Sequence, residues 1–159
     1  MTKFKLDKLD HQILDILIDD TRTAFTDIAK RLDISAGTVH VRVRKMEEAG
    51  IITGSTLNLD YKKLGYSFIA YVGIYLRKTS QTKFVIERIN EIPNVTVAHV
   101  TTGKYNVFCK IRAKNTEHAR KIIFQLDDIE GVYRTETMIS MEESLNDKKR
   151  LMHSIFQEM

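Results

Sequence analysis

A group of polar and basic residues between positions 35 and 45 has the chemistry needed to bind a nucleic acid duplex. The side chains of Arg42, Arg44 and Lys45 can pair with phosphates, and a guanidinium also fits the acceptor edge of guanine. Polar or small neighbours could approach base edges and the backbone closely. The predicted DNA contacts are Ser35, Gly37, Thr38, His40, Val41, Arg42, Arg44 and Lys45. In isolation, the basic residues would also fit an ordinary solvated helix face.

The surrounding sequence predicts two helices joined by a tight turn at Asp33 and Ile34, and this context favours DNA binding. Ser35 can cap the second helix, because its hydroxyl accepts a bond from a free backbone amide. Gly50 ends that helix, as glycine commonly does. The apolar stripes are Phe25, Ile28, Ala29 and Leu32 in the first helix and Ala36, Val39, Val43 and Met46 in the second.

Elements on either side complete a winged helix-turn-helix over residues 1–57. A helix over 9–20 precedes the pair, with Asp10 as its N-cap and Leu9, Ile13, Ile16 and Leu17 turned inward. A small β element is expected at Ile51–Leu57, with Gly54 as its turn. Residues 1–60 contain 9 Lys and Arg against 10 Asp and Glu, so the basic character is confined to the two later helices.

After a polar linker over 58–66, the chain changes to alternating strands and helices in the order βαββαβ, over residues 67–142. This is the ferredoxin-like plan. Strands are expected at 67–77, 95–102, 106–113 and 132–141, and helices at 81–92 and 116–126. The inward residues of these helices are Phe84, Val85, Ile89, Ile92, Ala119, Ile122, Ile123 and Leu126.

The first strand is apolar on both faces, with Tyr71 and Tyr75 opposite Val72 and Ile74. Two helices cover only one face of a four-stranded sheet, so the second face is expected to meet another subunit. A final amphipathic helix is predicted over 143–159, packing on a neighbour or fraying. Its apolar residues are Leu145, Leu151, Met152, Ile155 and Phe156.

Several function classes find no support in the residue pattern. No His, Cys and carboxylate cluster has metal-ligand spacing, and neither a Gly-rich phosphate loop nor a nucleophile elbow is present, so we expect no enzyme, metal or cofactor. Cys109 is the only cysteine, which excludes an intramolecular disulfide and fits a reducing compartment. No apolar run could span a membrane, and the N-terminus lacks the apolar core of a signal peptide, so we predict a cytoplasmic protein without a membrane partner.

The chain resembles the Lrp/AsnC family of bacterial and archaeal transcription regulators. The resemblance is carried by the stretches LDHQILDIL, DIAKRLDIS, TVHVRVRKMEEAGII and TTGKYNVF, which occur in both halves of the chain. It implies an α+β protein in which the winged helix-turn-helix is followed by a βαββαβ effector-sensing and assembly domain, often called RAM. It also implies a sequence-specific, nucleoid-associated transcriptional regulator that binds double-stranded DNA, dimerises through the bare sheet faces and associates further, commonly into octamers.

The same resemblance implies that an amino acid or related small metabolite binds at the interface between dimers. The family's hairpin motif, typically Gly-x-aromatic-Asp, reads Gly103–Asn106 here, with an amide in place of the carboxylate. Lys104 adds a cation that could attract a carboxylate. The implied effector contacts are Thr101, Thr102, Gly103, Lys104, Tyr105, Asn106, Thr135 and Thr137. Without the resemblance, this segment is an ordinary turn in which Gly103 supplies a positive φ.

Two alternatives remain open. Some Lrp/AsnC-like chains are sirohaem decarboxylases that use His and Arg in the second domain, and His99 is the residue to consider here. The other alternative is a ligand-binding module that has lost DNA binding, which the acidic first helix slightly favours.

Overall fold

A computed structural model describes residues 5–147 and 149–157 of the 159-residue chain. The chain divides into two compact units. The helical unit contains the residues up to Asn58 and those from Leu145 onwards, and the sheet unit contains Leu59–Ser144. The α+β fold class is therefore confirmed, with helices first and a mixed unit second.

The helical unit is built from four helices, α1 (Lys8–Asp19), α2 (Phe25–Leu32), α3 (Ala36–Glu48) and α6 (Lys149–Gln157). The predicted apolar stripes supply its core, in which the fully buried side chains are Ile13, Ile28, Val39 and Met46. Asp33 adopts the left-handed conformation with φ 55°, and α3 begins at once after Ser35. The Ser35 hydroxyl accepts a hydrogen bond from the backbone N–H of Thr38 at 3.0 Å, which confirms the predicted cap.

Helix α1 begins one residue earlier than predicted, and its N-cap lies three residues earlier. Its N-cap is Asp7, and Asp10 is the third helical residue. The two form a reciprocal capping box, in which Asp10 N–H donates to Asp7 at 2.9 Å and Asp7 N–H donates to Asp10 at 3.0 Å. The prediction of Asp10 as N-cap was wrong because either carboxylate suits a cap, and only the backbone position distinguishes them.

Two other predicted elements differ from the structure. Residues 51–57 form no strand, since a short strand needs a partner and they have none among the described residues. Helix α6 begins at Lys149 rather than at Glu143. It packs on α1: Met152 contacts the helical core, and Lys149 Nζ lies 2.7 Å from Asp19 Oδ1. The side chain of Phe156 lies outside the described residues.

The sheet unit contains strands β1 (Phe68–Leu76), β2 (Val95–Val100), β3 (Val107–Ala113) and β4 (Val132–Ile139), with helices α4 (Thr82–Ile89) and α5 (Thr116–Asp127). The strand order is β2-β3-β1-β4, and each neighbouring pair is antiparallel. This order confirms the predicted ferredoxin-like plan. The gap between β1 and α4 includes a short 3-10 helix, Thr79–Gln81.

Both helices of this unit pack on one face of the sheet. Its fully buried side chains include Val72, Ile74, Val85, Val107, Ile111 and Leu126. Phe84 was predicted to face inward but is 40% exposed. Val85 and Ile89 occupy the inward stripe of α4, and the Phe84 ring instead lies beside the Arg88 guanidinium at 5.6 Å.

The opposite face of the sheet carries a continuous row of four aromatic rings, which we call the aromatic row. Tyr71 stacks on Phe108 with ring centroids 5.7 Å apart, and Phe108 lies 5.8 Å from Tyr105. The row ends with Tyr75, 5.3 Å from Tyr105. All four rings are half-buried.

Replacing Leu126 with alanine should destabilise the sheet unit by about 2–5 kcal/mol, because the side chain is fully buried and its removal leaves a cavity. The change in the free energy of unfolding can be measured by hydrogen exchange of the β1 and β3 amides at increasing urea concentrations. The matched control is Phe124→Ala on the same helix, 55% exposed, with an expected change within about 0.5 kcal/mol. Equal losses in the two variants would contradict the assigned core.

Candidate DNA-binding surface and ligand loop

The side of α3 that faces away from the helical core presents the predicted DNA contacts. Val41 is 51% exposed, and His40, Arg44 and Lys45 are exposed as well. A shallow groove runs along the start of this surface, between α3 and the first turn of α1. It is lined by Lys5, Asp7, Asp10, Ser35, Gly37, Thr38, Val41, Arg42 and Lys45. Six of the eight predicted residues thus line one groove.

The other two predicted residues, His40 and Arg44, lie outside the groove lining. Arg44 donates from Nε to Glu48 at 2.9 Å, an exposed pair one turn along α3. Such surface pairs contribute little, so the guanidinium can exchange Glu48 for a phosphate. His40 packs its ring edge against Phe25 of α2, with centroids 6.1 Å apart.

Arg42 differs from the expectation of a free outward cation. Its Nη1 lies 2.7 Å from Asp7 Oδ2 and 2.7 Å from Asp10 Oδ1, so the guanidinium is held against the start of α1. The Asp10 side chain is only 5% exposed. The backbone N–H of Asp10, followed by the Arg42 guanidinium, holds the pKa of the Asp7 carboxyl below its usual range, and hydrogen bonds to Asp10 and Asp7 raise the pKa of Arg42. A DNA contact by Arg42 would have to replace these bonds.

The turn between β2 and β3 forms the candidate ligand loop, residues 101–106. Gly103 has φ 105°, as expected for the turn. Thr101 Oγ1 donates to the Tyr105 carbonyl at 2.7 Å, which closes the loop on itself. Asn106 Oδ1 accepts a bond from Leu76 N–H at 2.9 Å, so this amide ties the loop to β1. These contacts within the chain fix the shape of the loop.

Glu136 of β4 is the centre of the loop's polar contacts, and the sequence reasoning missed it. Its Oε2 accepts from Lys104 Nζ at 2.6 Å and from the Tyr105 hydroxyl at 3.0 Å. Its Oε1 accepts from the Tyr75 hydroxyl at 3.1 Å and from Arg134 Nη2 at 2.9 Å. The bond from Lys104, followed by that from Tyr105, lowers the pKa of Glu136 to about 2. The only signal in the sequence was a lone carboxylate between two predicted threonine contacts.

Thr135 and Thr137 do not join this group, which corrects the expectation that they lie beside the loop. They pair with Ile74 and Val72 of β1, whose side chains face the helices. Thr135 accordingly donates to Asp127 at the end of α5, at 3.3 Å. The two threonines therefore lie on the helix-covered face, and Glu136 lies on the opposite face.

Gly73 makes room for the ring of Tyr105. A Cβ added at Gly73 would lie 2.3 Å from Tyr105 Cδ1 and 2.7 Å from Cγ, closer than atoms can approach. The Tyr105 ring is also fixed from other sides by Tyr75 and Phe108. The absence of a side chain at Gly73 is therefore what lets the ligand loop lie flat on the sheet.

Two classes of site are missing from the described part of the chain. Among the side chains that the structure describes, no three or more His, Cys, Asp or Glu lie together so that they could hold a metal ion. Within the described residues, no helix is both long and apolar enough to cross a membrane.

Known proteins match both units. Residues 6–53 match the model of a winged helix-turn-helix DNA-binding domain, and residues 69–149 match the Lrp/AsnC ligand binding domain. The regulatory protein AsnC of Escherichia coli K12 is 34% identical over 143 residues, which cover 89% of this chain and 94% of that protein. The chain belongs to the Lrp/AsnC family. It is a transcriptional regulator of the Lrp/AsnC type, with a DNA-binding region followed by a ligand-binding domain.

Solved structures agree with the fold. The structure of Escherichia coli AsnC superposes with a TM-score of 0.87 at 32% identity, covering 91% of this chain and 97% of that one. The feast or famine regulatory protein of Mycobacterium tuberculosis, solved with L-methionine, has a TM-score of 0.83 at 22% identity, covering 91% and 97%. These similarities give no support to the sirohaem decarboxylase or to a module without DNA binding.

Gly73→Ala should destabilise the sheet unit by about 1–3 kcal/mol, because the added methyl overlaps the Tyr105 ring. In a Tyr105→Ala background the same change should cost less than about 0.5 kcal/mol, since the obstructing ring is gone. Urea unfolding of the four proteins in this cycle measures the coupling. An identical cost in both backgrounds would show that Gly73 does not act through Tyr105.

The contacts of Glu136 predict a pH dependence. A carboxyl whose pKa is lowered on folding stabilises the folded state at pH values above its unfolded pKa of 4.5, and that contribution is lost as the pH falls towards about 2. The free energy of unfolding of the sheet unit should therefore fall less steeply with decreasing pH in Glu136→Gln than in the wild type. Glu117→Gln, at an exposed pair with Lys121, is the control and should keep the wild-type decline. If the free energy of unfolding of Glu136→Gln fell with pH as steeply as that of the wild type, the lowered pKa of Glu136 would be contradicted.

Proposed function

We propose that the exposed side of α3 binds the major groove of double-stranded DNA and that the regulator acts as a homo-oligomer controlled by a small effector. The observation that carries this proposal is the burial of Val39, Val43 and Met46 on one side of α3. That burial leaves Val41, Lys45 and the rest of the opposite side accessible. An exposed amphipathic helix in a helix-turn-helix is the element that enters the groove.

The residue types along this side suit different parts of a duplex. Ser35 and Gly37 lie at the helix N-terminus, where backbone N–H groups favour a phosphate and the lack of a side chain permits close approach. Thr38 and the exposed Val41 are placed for base edges, since a hydroxyl can donate or accept and an apolar side chain fits a thymine methyl. Arg44 and Lys45 are placed for phosphates. His40 completes the set at the border with α2.

A second copy of the chain is proposed to cover the aromatic row. Half-buried rings with no helix above them are unusual on a protein that stays monomeric. A symmetric dimer would supply two α3 helices, which fit half-sites about one helical turn or a multiple apart. Further association of dimers, up to octamers, follows the family's expected assembly.

The ligand loop is proposed to bind an amino acid or related metabolite, with Thr101, Thr102, Gly103, Lys104 and Tyr105 as the contacts from the loop. Asn106 supports the loop through its bond to Leu76. The exposed Lys104 ammonium suits a ligand carboxylate. The relative from Mycobacterium tuberculosis was solved with L-methionine, which is a precedent for this ligand class. An effector changes DNA binding only by its difference in affinity between assembly states.

We further propose that the protein is not an enzyme and that it works in the cytoplasm, associated with the nucleoid. Its named relatives are regulators rather than catalysts.

Arg44→Ala and Lys45→Ala should each weaken DNA binding at every sequence, because each removes one phosphate contact. The slope of log affinity against log salt should fall by about 1 in each variant. Gel shifts over a salt series measure both quantities. Lys121→Ala on α5, another exposed lysine, is the control and should change neither.

The proposed function as a whole is tested by recovering bound fragments from genomic DNA, with and without pooled amino acids. We expect a shared, roughly palindromic sequence whose occupancy changes with the amino acids. Fragments without a common sequence would contradict sequence-specific DNA binding. Occupancy that is the same with and without the amino acids would contradict control by an amino-acid effector.

A further inference from the structure

Arg42 lines the protein groove beside the side of α3 that is proposed to bind DNA, but its guanidinium already binds two carboxylates of the same chain. It binds two carboxylates of α1 at 2.7 Å each, and its side chain is 28% exposed. Arg44, two residues along, is 70% exposed and pairs only within α3 in the contacts described above. The charge of Arg42 is therefore largely neutralised by carboxylates of α1, whereas the more exposed Arg44 pairs with a single carboxylate of its own helix.

The carboxylates bound by Arg42 face the same groove as the proposed DNA contacts. Asp7 is 55% exposed and lines the groove together with Ser35, Gly37 and Thr38. The side chains of Asp7 and Asp10 are held by the hydrogen bonds of the capping box at the start of α1, so neither can leave the groove without breaking them. A phosphate entering the groove would meet like charge unless a cation neutralised it.

The charge of the groove shows what Arg42 contributes. Lys5, Arg42 and Lys45 are its cations, and Asp7 and Asp10 are its carboxylates, which leaves one net positive charge. Without Arg42 the groove would be neutral, with one carboxylate exposed towards the DNA. Unit charges a few ångströms apart at a protein surface interact strongly enough to change binding about tenfold or more.

We propose that Arg42 is a positioning residue that masks the acidic first turn of α1, so that this turn can approach DNA phosphates, and that it is not itself a DNA ligand. This inference rests on the proposed function of α3. Asp10 needs Arg42 most, because a nearly buried carboxylate without a partner is costly. Under this proposal Arg42 supports DNA binding through Asp7 and Asp10, and does not itself contact phosphates or guanine edges as the sequence predicts.

The test is a cycle of DNA affinities at low salt, in which Arg42→Gln is made in the wild-type protein and in an Asp7→Asn, Asp10→Asn background. Asparagine keeps the caps but removes the charges. Arg42→Gln should weaken binding about tenfold in the wild-type background and less than about twofold in the asparagine background. The control is Arg44→Gln, which should cost the same in both backgrounds because Arg44 does not contact these carboxylates.

Each outcome of the cycle decides the proposal. An equal cost of Arg42→Gln in both backgrounds would overturn it in favour of direct DNA contact. The Asp7→Asn, Asp10→Asn protein should bind DNA at least as tightly as the wild type, and weak binding would overturn the proposal in favour of a purely structural link. That protein leaves no carboxylate unpaired, so it also serves as the test if Arg42→Gln does not fold. If the wild type shows no salt-dependent binding, the proposed function itself fails.

Discussion

The burial of one side of α3 is the constraint on which the DNA-binding surface depends. Val39, Val43 and Met46 lie four and three residues apart and are buried against α1 and α2, which fixes the rotation of the helix about its own axis. Once that rotation is fixed, Val41 and Lys45 must lie on the opposite side. The Ser35 cap and the left-handed Asp33 set where the helix starts. The apolar core therefore determines which side chains can reach DNA.

A similar asymmetry organises the sheet unit. Because α4 and α5 cover only one face, the opposite face keeps the aromatic row and the polar contacts of Glu136. Gly73 lets Tyr105 lie on β1, and Glu136 then draws Lys104 towards the sheet. The shape of the ligand loop is thus set by contacts within its own chain. Such preorganisation reduces the ordering cost of binding a small molecule.

Patterns that depend on local spacing could be predicted from the sequence, and pairings between distant residues could not. The apolar stripes, the Ser35 cap and the order of strands and helices along the chain all follow from neighbours or from alternation. The bonds of Arg42 to Asp7 and of Lys104 to Glu136 join residues more than thirty positions apart, and no local rule specifies them. The wrong prediction of Asp10 as the N-cap of α1 was of a different kind, since two carboxylates that can both cap a helix lie within one turn.

The misplacement of Thr135 has a simple structural cause. The face on which Thr135 lies is set by an irregularity in β4, where Leu76 pairs with Val132 and Tyr75 pairs with Arg134, so that β4 has one extra residue there. That extra residue reverses the alternation along the rest of the strand. The missing strand at residues 51–57 reflects a different limit, because strand formation depends on a partner that sequence alone does not supply.

The most direct test of the central claim is a photo-crosslinking measurement with a photoreactive side chain placed at position 41 in the full-length protein. Position 124, on the exposed side of α5, serves as the comparison. We expect efficient crosslinks to bases of a bound duplex from position 41 and none from position 124. Equal crosslinking at both positions, or none from position 41 while DNA is bound, would contradict the assignment of α3 as the DNA-reading helix.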